Sequence, residues 1–180
     1  MSTPRPPQLA KLVVGLLLKD KTLLPEVTAA LEDRFGPVAL VSPWMPFGYT
    51  AYYETEMGAL LFRRVLVFRD MVAQDGLARI KLATNAIEQA YMVEGRRRVN
   101  IDPGYLLLAR FVLATGKNYS HRIYIGEGIY AELTLVFERG AFRPLPWTYP
   151  DYADRPLRDF LQRVRSQYAG DLNRVSKNCA

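Results

Sequence analysis

Apolar residues recur along this chain in two rhythms, and the switches between them mark its elements. The continuous run Leu12-Val-Val-Gly-Leu-Leu-Leu18 has the character of a central strand buried on both faces. After a polar turn, Thr22 stands where a cap is wanted and Pro25 fits a first helical turn. Leu24, Val27, Leu31 and Phe35 then fall on one helical face, which Gly36-Pro37 closes. Val38–Ser42 predicts a second strand, stopped by Pro43 and Pro46. The aromatic and acidic segment Phe47–Gly58 has no period and reads as a loop with a short helical turn. Leu60–Arg69 is strand-like, but Arg63 and Arg64 fall on opposite sides of it. At least one of them needs a partner, and Glu54 and Glu56 are near in sequence.

Asp75 is placed to cap a second helix whose buried stripe is Leu77, Ile80, Thr84, Ile87 and Tyr91. Gly95 ends it, and Arg98–Ile101 begins another strand. Asp102-Pro103-Gly104-Tyr105 has proline and glycine where a type II turn wants them. The run Leu106–Thr115 fits a strand or a buried helix by period, and its β-rich surroundings favour a strand. Gly140 breaks the last strand, and Pro144, Pro146 and Pro150 hold an extended segment around Trp147 and Tyr149. Asp154 should cap a final helix carrying Leu157, Phe160, Leu161, Val164 and Tyr168 on one face, with fraying beyond Gly170.

The sharpest local signal is a hairpin around Gly126-Glu127-Gly128. A two-residue loop would pair Gly126 with Ile129 and set Ile123 against Glu132, mixing apolar and charged groups on one face. A three-residue loop pairs Ile125 with Ile129, Ile123 with Ala131 and His121 with Leu133, and sorts the faces. One face then carries Ile123, Ile125, Ile129, Ala131, Leu133 and Leu135. The other carries Ser120, Arg122, Tyr124, Tyr130, Glu132 and Thr134, with Arg122 opposite Glu132.

The order strand, helix, strand, strand, helix, strand is the split pattern of ferredoxin-like sheets. The fold class is therefore α+β: a mostly antiparallel sheet with a ferredoxin-like βαββαβ start, helices on one face, and a C-terminal β-meander plus a final helix. The other sheet face must be solvated, covered by the proline-rich segment, or used. Residues 1–10 read as a flexible arm, 11–170 as one domain and 171–180 as a frayed tail.

Composition adds limits. With 49% hydrophobic and 23% charged residues in 180, the chain is an ordinary globular one. Its apolar runs are too short for a membrane-spanning helix, and its first residues lack the shape of a signal peptide. A single cysteine, Cys179, rules out a disulfide framework and fits a reducing, cytoplasmic setting. The net charge of +6 gathers at Arg96–Arg98 and in the last helix, which permits RNA or phosphate as a partner.

Several strings then come in a recognisable order. They are Thr50-x-Tyr52-Tyr53-x-x-Glu56-Met57-Gly58, Ile80-Lys81-x-x-Thr84-Asn85 and Arg98-Val99-Asn100-x-Asp102-Pro103-Gly104-Tyr105. His121-Arg122-Ile123-Tyr124, Gly128–Glu132 and Trp147–Tyr152 follow. Together they resemble the prokaryotic domain-of-unknown-function family numbered 4416, from about Lys11 to about Tyr168. The resemblance implies no established activity. Some members carry a GTP-binding label, but the chain has no Gly-x-x-x-x-Gly-Lys-Ser/Thr loop to give that label a mechanism.

Three chemistries compete for the polar residues. A module binding a phosphate-bearing compound such as a nucleotide would use Lys81, Arg98, Lys117 and Arg122 for the anion. Tyr105, Tyr124, Tyr130 and Trp147 would serve its ring, with Glu132 orienting Arg122. An RNA-associated protein would use Arg96–Arg98 and the final helix. An enzyme would use His121 with Asp102 and Glu132 as acid/base or metal groups. The hairpin register turns His121 toward the core side, a lone histidine is a poor basis for a metal centre, and no metal is assigned. The cofactor and the oligomeric state stay open.

Overall fold

Every position of strand β1 (Ala10–Leu18) is buried, and the rest of the sheet is laid out on either side of it. The structure is a computed structural model that describes residues 3–49, 57–58 and 60–178. Glu54 and Glu56, and most of the aromatic loop expected at 47–58, lie outside the described residues. Helix α1 (Leu24–Phe35) leads to β2 (Val38–Val41), β3 (Met45–Phe47) and β4 (Leu61–Val72). Helix α2 (Leu77–Ala90) leads to the small hairpin β5 (Met92–Val93) and β6 (Arg96–Arg97), then to β7 (Val99–Leu106) and β8 (Arg110–Thr115). Strands β9 (Arg122–Gly126), β10 (Ile129–Glu138) and β11 (Ala141–Pro144) form the meander. Helices α3 (Pro150–Ala153) and α4 (Arg155–Asn178) close the chain.

The main sheet runs β11-β10-β8-β7-β1-β4-β2, with β3 also on β4 and β9 also on β10, and its pairs are antiparallel. The four strands β7-β1-β4-β2 have the order of a ferredoxin-like sheet, so the α+β reading of the first half holds. The parity of β1 sets two cores. Leu12, Val14, Leu16 and Leu18 meet Val27 and Leu31 of α1 and Ile80 and Ile87 of α2. Val13, with Val65 and Val67 of β4, meets Leu157, Phe160, Leu161 and Val164 of α4 on the opposite face. Helices α1 and α2 thus share one face, and the final helix covers much of the other. It runs on to Asn178, past the Gly170 where fraying was expected. The charged pair in β4 divides as its parity requires: Arg63 is buried, and Arg64 lies 4.7 Å from the Trp44 ring.

Some local expectations are corrected. Asp102-Pro103-Gly104-Tyr105 is not a turn but the middle of β7, paired along β1 from Gly15–Asp102 to Leu12–Tyr105. Thr22 lies in a 3₁₀ turn capped by Asp20, and Asp75 lies in another, so neither side chain caps its helix. The hairpin does pair Gly126 with Ile129 across a two-residue turn. Glu127 and Gly128 both have positive φ there, at 55° and 75°, as a type I′ turn needs. A bulge then restores the sorted register, with Tyr124 opposite Tyr130, Ile123 opposite Ala131 and Arg122 opposite Glu132. A second shift between Leu133 and Leu135 carries Leu135 into the core under α4, while Leu133 stays beside the start of α2.

Candidate functional site

Strands β7 and β8 are paired only where Gly104, Tyr105 and Leu106 meet Leu113, Val112 and Phe111. Beyond that ladder they part: β8 stays on β10 to Thr115, and β7 stays on β1 back to Val99. Pro103 stands at the fork. The main-chain groups of Ile101 face the opening, and by strand alternation those of Pro103 face the same way, so its missing N–H removes a ladder bond there. Ile101 is capped by side chains instead. Its N–H donates to Glu88 Oε1 at 2.6 Å, and its carbonyl accepts from Lys81 Nζ at 2.7 Å. Two residues about two turns apart on the same face of α2 therefore do what a neighbouring strand would otherwise do.

The seam opens into a cavity of about 670 Å³. Lys81, Asn85 and Glu88 of α2 reach it from one face, Asn100 and Asp102 line its β7 side, and Ala114, Thr115 and Gly116 line its β8 side. Arg63, Tyr149 and Tyr152 reach it from the face that α3 and α4 cover. Burial pushes the Glu88 carboxyl above its usual range, and Lys81 and the Ile101 N–H pull it back. Glu88 also meets Arg97, 3.4 Å away, whose guanidinium donates to Asn100 Oδ1 at 3.0 Å.

At the far side the buried Glu132 gathers two partners on one oxygen. Its Oε2 accepts from Arg122 Nε at 2.8 Å and lies 3.2 Å from His121 Nε2. Arg122 also donates to the Lys117 carbonyl at 3.0 Å. His121 is therefore not on the core side, as the hairpin parity implied. Strand β9 begins only at Arg122, and the turn bond from Arg122 N–H to the Tyr119 carbonyl lets the preceding residue swing toward Glu132. The imidazole is stacked between two rings, Trp147 at 5.3 Å and Tyr119 at 6.0 Å, nearly parallel to both.

The β10 shift places that wall. The Leu133 and Thr134 carbonyls, where β10 changes neighbour from β9 to β11, accept from Trp147 Nε1 at 2.8 Å and Thr148 Oγ1 at 2.5 Å. The proline-rich segment is pinned across the strand and sets the indole on His121.

Of the residues singled out from sequence, Lys81, Asp102, Lys117, His121, Arg122, Glu132 and Trp147 line the cavity. Arg98, Tyr105, Tyr124 and Tyr130 do not. The Arg98 carbonyl serves the turn after β1, and Tyr105 packs between two apolar clusters. Tyr124 is 60% exposed and tilts against Tyr130 outside the opening. Arg158 and Arg165 of the final helix donate to main-chain carbonyls of Ala153, Phe142 and Leu108. Sequence reasoning missed Asp151, Tyr152 and Tyr119 as lining or neighbouring groups; only the demand of Arg63 for a partner pointed that way. Among the described residues no group of three or more His, Cys, Asp and Glu is placed to hold a metal ion, and no helix is long and apolar enough to cross a membrane.

Fold and cavity together define a ferredoxin-like α+β protein whose sheet opens into a cavity of about 670 Å³. The chain belongs to the domain-of-unknown-function family DUF4416, whose model matches residues 8–168. No curated protein and no solved structure matches it.

Proposed function

We propose that the seam cavity binds a small phosphate-bearing compound such as a nucleotide. The observation that carries this reading is the ring wall Tyr119–His121–Trp147 standing beside Arg122 and Lys117 at one end of a 670 Å³ opening. Pockets for small ligands run from roughly 300 to 1,000 Å³. His121 and Arg122 cover the Tyr119 side of this stack, so the half-exposed Trp147 indole is the ring surface that suits a planar ligand, and the neighbouring cations suit an anion. Arg122 is held in place by Glu132 and keeps further N–H groups for a phosphate oxygen. Lys81 is tied to Ile101 and Glu88, so its part is to keep the seam open.

A panel of nucleotides in a thermal-shift assay tests this, because a ligand at about a hundred times its Kd adds roughly 2.7 kcal/mol. ATP or GTP should raise the Tm, and Arg122→Ala or Trp147→Ala should remove the rise. An unmoved Tm across the panel contradicts the reading. A pocketed ligand should also respond weakly to salt. RNA held by six to ten phosphate contacts would lose roughly a thousandfold or more in affinity between 50 and 200 mM.

An enzyme on the same cavity is a second reading, and the His121–Glu132 contact favours it. A carboxylate on Nε2 fixes the imidazole and leaves Nδ1 for a substrate proton. His121→Asn should then abolish turnover of a bound compound while leaving its binding within a few fold. Unchanged turnover would remove His121 from the chemistry.

A further inference from the structure

We propose that the inner end of the cavity recognises sugar hydroxyls, so that the compound it holds is a sugar-bearing phosphate. This deepens the reading above and rests on it. The inner end lies on the β1 side of the seam, across from Arg122, and is built around Arg63 of β4, which is 4% exposed. Gly15 of β1 makes its room: a Cβ there would stand 2.7 Å from Arg63 Nη1 and 2.5 Å from Tyr152 Oη. The guanidinium lies over two rings, 4.9 Å from Tyr152 and 5.6 Å from Phe47.

Its Nη2 donates to the buried Asp151, and Asp102 Oδ2 lies 3.7 Å from Nη1, too far for a hydrogen bond. Arg63 Nε and Nη1, and Asp151 Oδ1, make no hydrogen bond among the described residues. Unpartnered buried groups of this kind are uncommon in folded proteins, and a ligand or ordered water is the usual explanation. Two carboxylates against one guanidinium leave an excess of one negative charge, which repels phosphate. A hydroxyl suits both kinds of group, since it donates to a carboxylate and accepts from an N–H. Asp102 is the reachable member: its side chain is 26% exposed, it lines the cavity, and Asn100 Nδ2 holds it at 2.9 Å. Anion and hydroxyl ends thus fall on opposite banks of one seam.

Calorimetric titration of the full chain with ATP, dideoxy-ATP (lacking both ribose hydroxyls), inorganic triphosphate and free ribose tests this. ATP should bind about tenfold or more tightly than dideoxy-ATP, because a site built for hydroxyls penalises their loss. Asp102→Asn should bring the ratio of ATP to dideoxy-ATP affinity to about one, whatever the lost charge does to both. That variant keeps an acceptor for Asn100 at a partly exposed position, so it avoids the folding risk of replacing Arg63. Equal affinity for ATP and dideoxy-ATP overturns the sugar assignment and leaves the phosphate reading standing. Ribose binding with no phosphate compound bound does the reverse, and no binding by any of the four overturns both.

Discussion

The two halves of strand β7 solve one problem in opposite ways. From Gly104 to Leu106 its outer edge is met by β8, main chain to main chain. From Val99 to Asp102 that edge looks into a cavity, and at Ile101 it is met by Lys81 and Glu88 of α2. On its inner edge both halves are paired with β1 in one unbroken register. A sheet can therefore open along one line without losing its backbone bonds, provided that side chains of the right reach stand in for the absent strand. The closed half depends on having no side chain at Gly104. The open half depends on two long, charged ones.

The largest effect should come from removing a stand-in. Lys81→Met leaves the Ile101 carbonyl and the Glu88 carboxylate short of a buried partner, and should cost about 3 kcal/mol in chemical denaturation. A loss under about 1 kcal/mol would mean that water serves the seam as well as the ammonium does. Next comes the closed half. A Cβ at Gly104 would lie 2.3 Å from the Val112 carbonyl oxygen and 2.9 Å from Leu113 Cδ2, so backbone must move. Gly104→Ala should cost about 2 kcal/mol and loosen the ladder to β8.

A smaller, pH-dependent effect belongs to Glu88. Burial raises its folded-state pKa above the ordinary 4.5, so the folded chain holds that proton more tightly than the unfolded one. Its contribution is greatest below pH 4.5 and is lost as pH rises through the raised value. Measured against Glu88→Gln, which does not titrate, wild-type stability should fall across that interval. A flat difference would show that Lys81 and Arg97 fully offset the burial. The smallest effect lies outside both halves. The Tyr49 hydroxyl donates to Asp154 and its pKa is pushed up to about 12, chiefly by that bond. Tyr49 is 39% exposed, so Tyr49→Phe should cost under about 1 kcal/mol in the same assay.

Much of the closed sheet was legible in sequence, because alternation of apolar residues carries register directly. The pairings Arg122–Glu132 and Tyr124–Tyr130 follow from sorting faces, whatever the turn between them. The open seam was not legible. Pro103-Gly104 carries a strong local turn signal, and only the placement of neighbours decides that the missing N–H faces a gap while the missing Cβ admits β8. His121 was misplaced because strand parity was carried one residue beyond the strand. The cluster of Arg63, Asp102 and Asp151 joins residues far apart in the chain through the space left at Gly15, and no local spacing announces it.

Amide hydrogen exchange at Ile101 tests the open seam most directly. In Glu88→Ala the Ile101 amide should exchange about tenfold faster or more, while the amides of Leu16 and Leu66 in the closed β1–β4 ladder keep their wild-type rates. An Ile101 amide that stays equally slow would mean that another strand or chain segment already covers it, and that the seam is not open.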